Sequence, residues 1–227
     1  HVDRVIIGRI TGSTNFGLSV LKETHPQYLS LQNQFIDKWI KLPAPTVRSI
    51  MEVQVPSNVY RKTVAYKRDK GNVRRRFHGT SCSPQCSFFV DLKGRPCGRT
   101  ECNVCSICTH GFVIEGNAGR TALITNFGLR YGEGLYFSSV SGKANDYARS
   151  SEKNDSSGTR LRCIFVVNVA AGKTYNTTEG NLEPDMCPPD GYDSVVGEVG
   201  AELNHDELVV YKNEAACPTH MIVYALS

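Results

Sequence analysis

The sequence has no long apolar run, no internal repeat and no low-complexity tract. A helix that crosses a bilayer needs roughly 18 or more consecutive apolar residues, so we expect a soluble protein with no membrane partner. The missing repeat argues against an array of small units. The chain begins with His1 rather than Met, so we expect a fragment of a longer protein, and the missing signal peptide is uninformative.

The composition and the hydrophobic pattern predict one large α+β domain. The 227 residues are 40% apolar, which is enough to bury a full core. Residues 26–41 and 57–70 are predicted to form helices, the second capped by Ser57 and ended by Gly71. A third helix is predicted at 141–149. Alternation and apolar runs predict strands at 46–55, 123–125, 135–137, 163–169, 208–211 and 221–226. Strands with a few peripheral helices define an α+β domain.

Cysteine, in contrast, is abundant and clustered. Six of the nine cysteines lie close together: Cys82, Cys86, Cys97, Cys102, Cys105 and Cys108. A secreted disulfide framework usually spreads its cysteines and leaves none over, whereas Cys-x2-Cys pairs are typical of a zinc site. We predict that zinc is bound by Cys86, Cys97, Cys102 and Cys105, with Cys82 and Cys108 in reserve. The zinc would staple residues 81–110, a loop too polar and Gly-rich to fold by burial alone. Disulfides and a nucleic-acid-binding zinc knuckle are the alternatives.

Three motifs follow one another along the chain: Phe-His-Gly-Thr at 77–80, Gly-Leu-Tyr-Phe at 134–137 and Asp-Glu-Leu-Val-Val-Tyr at 206–211. In this order they resemble the His-Tyr-Glu signature of poly(ADP-ribose) polymerase-like ADP-ribosyltransferases of the diphtheria-toxin type, in their cysteine-rich branch. The resemblance is strong over residues 73–211 and weak over the first 70.

The resemblance implies a fold and an activity. The fold is a split antiparallel β-sheet with peripheral helices and a zinc-stapled loop. A single catalytic domain would span residues 1–227, with an N-terminal α/β part at 1–72 and an NAD-binding core at 73–227 that carries a cysteine-rich insertion at 81–110.

The activity implied is that of an NAD-dependent ADP-ribosyltransferase, a glycosyltransferase that releases nicotinamide and passes one or several ADP-ribose units to a protein or nucleic acid. We expect an intracellular monomer, cytoplasmic or nuclear. The alternatives are an NAD glycohydrolase and a catalytically weak, zinc-containing relative that serves as an interaction or nucleic-acid-binding module.

Cleavage of the bond between nicotinamide and ribose creates an oxocarbenium-like centre, so the site must hold the base, fix the ribose and place negative charge nearby. Tyr136 and Tyr147 lie eleven residues apart, on a strand end and the following helix. Aromatic faces bind a flat cationic base well. The resemblance implies that both tyrosines line the nicotinamide pocket.

The resemblance also assigns the remaining donor-site residues. His78 would bind the adenosine-side ribose, Gly79 would hold the nicotinamide amide through its main chain, and Thr80 completes the motif. Glu207 would bind the nicotinamide ribose, steady the cation and help orient the acceptor.

Nearby carboxylates compete with Glu207 for this role: Asp206, Glu202 and Glu198. We favour Glu207 because its position before Leu-Val-Val-Tyr is unshifted. Ala144 departs from the family pattern, because a serine that contacts the nicotinamide amide usually stands there. Losing that hydrogen bond would weaken NAD binding about tenfold.

Eight Lys and Arg residues lie between Arg61 and Arg76 with a single acid, Asp69. This basic cluster could contact the phosphates of a nucleic acid or of NAD. We favour a simpler interpretation, the solvated face of a helix that leads into a strand.

Overall fold

A computed structural model describes residues 5–7, 16–90, 95–114, 129–183 and 186–226. The helices within these ranges are α1 (Pro26–Asp37), α2 (Ser57–Lys70), α3 (Asn103–His110) and α4 (Ser141–Tyr147). The strands are β1 (Val5–Ile7), β2 (Gly17–Val20), β3 (Pro45–Gln54), β4 (Val73–Gly79), β5 (Leu135–Phe137), β6 (Lys153–Asn154), β7 (Arg160–Ala170), β8 (Thr174–Thr177), β9 (Ser194–Gly197), β10 (Glu207–Val210) and β11 (Ala216–Leu226). The predicted α+β class is confirmed.

The larger sheet has the strand order β1-β2-β3-β11-β7-β4, with β6 added beside β7, and all of its pairs are antiparallel. Its central strands β7 and β11 are buried along most of their length. Side chains of a strand alternate between faces, so Phe165 and Val167 of β7 join one apolar cluster while Ile164 and Val166 join a second. The core therefore lies on both faces of this sheet.

The smaller sheet has the order β5-β10-β9-β8. Its β5-β10 and β10-β9 pairs are antiparallel, but β8 and β9 run parallel, which the antiparallel expectation did not include. The two sheets meet where Phe77 of β4 and Ser138, just after β5, exchange backbone hydrogen bonds of 2.8 and 3.1 Å. This is the split of the sheet, and it brings the His78 and Tyr136 motifs side by side.

The first two helices lie where the sequence predicts them, with local corrections. Helix α2 has the predicted bounds, and Gly71 ends it with a φ of 66°, a conformation that glycine adopts without strain. Its N-cap is Pro56 rather than Ser57. Helix α1 ends at Asp37 rather than residue 41, because Ile40 takes a positive φ of 45°.

The segment 81–110, which was predicted to be a polar, Gly-rich loop, contains helix α3 and several buried apolar side chains. Phe88 and Phe89 are 3% and 1% exposed, and the short helix α3 buries Val104 and Ile107. All four belong to the same apolar cluster as the central strands. The described part of the segment, 81–90 and 95–110, therefore packs against the core.

None of the described helices has the length and apolar character needed to cross a bilayer. The strand predicted at 123–125 falls outside the described residues.

Candidate active site

Strand β4 delivers His78 to the junction of the two sheets. Its Nδ1 lies 2.9 Å from the carbonyl oxygen of Tyr136. A carbonyl only accepts, so Nδ1 carries the proton and donates, which leaves Nε2 as an acceptor in the neutral ring. Burial lowers the pKa of His78, an effect only partly opposed by that hydrogen bond, so the neutral form persists at physiological pH. The ring packs edge-on against Phe112 and tilted against Phe137.

Gly79 ends β4 where the chain touches helix α4. A Cβ added to Gly79 would lie 1.8 Å from the carbonyl oxygen of Ala144. Any side chain would therefore force the helix away from the strand, which explains glycine at this position. Thr80 follows directly and is half-buried.

Glu207 opens strand β10 and is 7% exposed. Its Oε1 accepts a 2.5 Å hydrogen bond from Nζ of Lys143, on α4. The same ammonium group also reaches the carbonyl oxygens of Asp206 at 3.3 Å and His205 at 3.5 Å. The other carboxylate oxygen, Oε2, is buried and has no hydrogen-bond partner among the described residues. One oxygen is thus held by a cation, and the other is buried without a partner in the described part of the chain.

The two predicted tyrosines lie near this carboxylate. The hydroxyl of Tyr136 donates to the carbonyl oxygen of Gly132 at 2.8 Å and accepts from the backbone N–H of Tyr131 at 3.0 Å. Tyr147 is 45% exposed. Burial first and the charge of Glu207 second raise the pKa of Tyr147, and the same influences raise that of Tyr136. The structure therefore gathers His78, Gly79, Tyr136, Tyr147 and Glu207 around one junction.

Helix α4 contributes Lys143, a residue that had no predicted role. Lys143 and Tyr147 are four residues apart and share one face of the helix, a signal that could have been read from the sequence. Its partner Glu207 could not, because the two residues are 64 positions apart. Ala144 was expected to face the nicotinamide, but its side chain is 4% exposed and packs in the second apolar cluster.

The three competing carboxylates are either exposed to solvent or hydrogen-bonded to other residues. Glu198 is exposed and accepts a 2.6 Å hydrogen bond from Asn176, and Glu202 is exposed. Asp206 accepts hydrogen bonds from Ser138 and Ser139. Of these acids, Glu207 alone keeps a buried oxygen that has no partner in the part of the chain that the structure describes.

The four thiols predicted as metal ligands lie together in the structure. The Sγ atoms of Cys86, Cys97, Cys102 and Cys105 are all within 4.8 Å of one another, and Cys86 and Cys105 are 3.6 Å apart. Tetrahedral zinc with Zn–S bonds of about 2.3 Å would separate its sulfurs by about 3.8 Å. The cluster fits a tetrahedral thiophilic ion.

The reserve ligands have other surroundings. The thiol of Cys82 points to the carbonyl oxygen of Ser151 at 3.7 Å. Cys108 is fully buried, and burial raises its pKa. His110 is exposed, and its Nδ1 lies 2.8 Å from the hydroxyl of Thr109.

The basic cluster is divided between elements. The cations of α2 are exposed to solvent. On β4, Arg75 donates to Gln34 of α1 at 3.1 Å, whereas Arg76 lies 3.7 Å from Asp206. These two arginines therefore point to opposite faces of the sheet, and the cluster does not line a single groove.

A comparison with known protein families supports the class of protein that the fold and the site indicate. A model of the poly(ADP-ribose) polymerase catalytic domain matches residues 97–226, which is more than half of the chain. The chain belongs to this family. The match begins after the His78 motif and includes Tyr136, Tyr147 and Glu207. No curated protein matches the chain.

Proposed function

We propose that this protein is an NAD-dependent ADP-ribosyltransferase that releases nicotinamide and passes ADP-ribose to a macromolecular acceptor. The observation that carries the proposal is the carboxylate of Glu207, which is buried beside two tyrosines. One of its oxygens is held by Lys143, and the other has no partner among the residues that the structure describes. Membership of the poly(ADP-ribose) polymerase catalytic-domain family supports the same conclusion.

The donor side of the site suits a dinucleotide with a flat cationic base. Nε2 of His78 is available to accept a hydrogen bond from a ribose hydroxyl, because Nδ1 is already committed to Tyr136. Gly79, whose main chain the family resemblance assigns to the nicotinamide amide, directly follows His78 at the end of the same strand. The ring of Tyr147 is partly exposed, and aromatic faces attract a positively charged base.

We assign cleavage of the nicotinamide bond to Glu207. As the nicotinamide bond breaks, positive charge develops on the ribose, and a carboxylate fixed beside it stabilises the transition state more than the ground state. Oε2 of Glu207 can also accept a hydrogen bond from a ribose hydroxyl. Lys143 holds Oε1, so the carboxylate keeps one orientation before NAD binds. This preorganisation lets it act without a rearrangement during the reaction.

The test is the fate of labelled NAD. Purified protein is incubated with NAD labelled in the adenosine half and with a mixture of proteins and RNA, and the label is followed. Label on a macromolecule supports the transferase. Label only in free ADP-ribose would replace it with an NAD glycohydrolase, and intact NAD would favour a binding module.

We also propose that Cys86, Cys97, Cys102 and Cys105 bind structural zinc. The spacing of the four sulfurs supports tetrahedral coordination. Cys86 and Cys97 lie in irregular chain, whereas Cys105 lies in α3 and Cys102 at its start. Zinc would therefore tie the segment from 86 to 97 to this helix, and its role is to fix the fold of the insertion.

A further inference from the structure

The residue before the candidate catalytic glutamate holds together the three strands that form the site. The Oδ1 atom of Asp206 accepts three hydrogen bonds: from the hydroxyl of Ser138 at 2.9 Å, from the hydroxyl of Ser139 at 2.8 Å and from the N–H of Ser139 at 2.9 Å. Its Oδ2 accepts a longer bond of 3.2 Å from the same N–H. A carboxylate that accepts this many bonds is fixed in one orientation.

The network extends to strand β4 through Arg76. The guanidinium Nε of Arg76 lies 3.7 Å from Oδ2 of Asp206, and the two side chains are only 18% and 19% exposed. This Nε is buried and has no hydrogen-bond partner among the described residues. The nearby carboxylate therefore supplies the counter-charge for a cation that is largely removed from water.

Each member of the network stands next to a residue of the donor site. Arg76 precedes His78 by two positions on one strand face, Ser138 follows Tyr136 by two, and Asp206 immediately precedes Glu207. Ser138 is also the residue that pairs with β4 across the split. A displacement of Asp206 would therefore move the start of β10, and Glu207 with it.

We infer that Asp206 is a positioning residue that fixes the carboxylate of Glu207 relative to His78 and Tyr136. Lys143 grips the same turn from the other side, through Glu207 and the carbonyl oxygens of His205 and Asp206. Lys143 thus holds residues 205–207 on one side, and Ser138, Ser139 and Arg76 hold them on the other. The inference rests on the proposed function, because it concerns how that site is aligned.

The test compares Asp206→Ala and Asp206→Asn, each alone and combined with Glu207→Gln, using nicotinamide release for kcat and KM and thermal unfolding for stability. A misplacement of about 1 Å can cost roughly a hundredfold in rate, so Asp206→Ala should lower kcat roughly ten- to a hundredfold with KM for NAD little changed. Asp206→Asn keeps an oxygen at Oδ1 for all three bonds but removes the charge that faces Arg76, so its kcat should lie between those of the parent and Asp206→Ala.

The combined variants separate positioning from a general loss of stability. If Asp206 acts through Glu207, Asp206→Ala should cost less than about twofold once Glu207 is already Gln, because the two effects are not additive. The matched control is Asp155→Ala. Oδ1 of Asp155 also accepts three hydrogen bonds, from the N–H and hydroxyl of Ser157 and the N–H of Thr159, in an exposed turn. This control should leave kcat at the parent value.

Parent-like kcat in Asp206→Ala, or an equal fold-loss in both backgrounds, would overturn the inference. Should Asp206→Ala fail to fold, Ser139→Ala removes one hydroxyl donor to Asp206 and is expected to lower kcat by a smaller factor with KM unchanged; a parent-like kcat there would also overturn the inference. A parent protein that releases nicotinamide no faster than Glu207→Gln would overturn the proposed function, and the role of Asp206 with it.

Discussion

At the scale of single residues, the site depends on contacts between side chains far apart in sequence. The motifs identified His78, Tyr136, Tyr147 and Glu207 because each stands in a short local pattern. Lys143 was not assigned because only the fold shows that α4 reaches β10. The same applies to Asp206, which the sequence presents as a rival of Glu207 and the structure uses as a hydrogen-bond acceptor for Ser138 and Ser139.

Ala144 provides a test of the packing of helix α4. Its side chain lies in the second apolar cluster, so Ala144→Ser would bury a hydroxyl there rather than present it to nicotinamide. We expect the free energy of unfolding to fall by about 1 kcal/mol, since a serine in a helix can bond back to the carbonyl of residue 140 and recover part of the cost. Affinity for a benzamide-type mimic should not increase. Both are measured by calorimetry.

Ala148→Ser is the matched control, because Ala148 is fully buried in the same cluster one turn later. The two variants should lose a similar free energy of unfolding, and neither should bind the mimic more tightly than the parent. Tighter mimic binding by Ala144→Ser alone would show that position 144 faces the cleft.

At the scale of helices and strands, short sequence patterns predicted the elements whose ends depend on neighbouring residues. Helix α2 was predicted with its bounds because Gly71 ends it, although the predicted cap was Ser57 and the observed N-cap is Pro56. Helix α3 was missed because its sequence is dominated by cysteine spacing, and β8 and β9 were missed because each has only four residues and their pairing is parallel. Such pairing depends on long-range contacts, which short propensity patterns do not encode.

The cysteine-rich insertion is the element most easily tested. Purified protein should contain one equivalent of zinc by elemental analysis, and a strong chelator should remove it. Because Phe88 and Ile107 are buried in the core, metal loss should loosen residues 86–105 while the central strands stay protected from hydrogen exchange. Serine in place of Cys102 should abolish zinc binding, whereas serine in place of Cys187, which lies outside the cluster, should not. Protein that contains no zinc and pairs these cysteines in disulfides would contradict the site.

At the scale of the whole molecule, stability should depend on pH through a buried histidine on the central strand β11. His220 is 5% exposed, its Nε2 has no hydrogen-bond partner among the described residues, and burial followed by the charge of Arg75 lowers its pKa from 6.5 to about 4. The unfolded chain then binds more protons than the folded chain between these values. The stability that the neutral form of His220 contributes is therefore fully present above its ordinary pKa of 6.5 and is lost as the pH falls toward 4.

The expected loss from His220 alone is about 2 kcal/mol in the free energy of unfolding between pH 7 and pH 5. Burial lowers the pKa of His78 as well, so it adds to the loss in the same direction. Urea unfolding of His220→Gln should show a smaller difference between the two pH values than the parent, whereas His110→Gln, at an exposed position, should match the parent. An unchanged difference in His220→Gln would show that folding does not lower the pKa of His220.

The central claim is that Glu207 supplies the charge that stabilises the transition state. The most direct measurement is nicotinamide release by Glu207→Gln, which keeps the shape and removes the charge, together with the affinity of the variant for NAD. We predict that kcat falls roughly a hundredfold or more while NAD affinity changes little, because the carboxylate acts on charge that develops only as the bond breaks. Equal turnover by the variant and the parent would contradict the account.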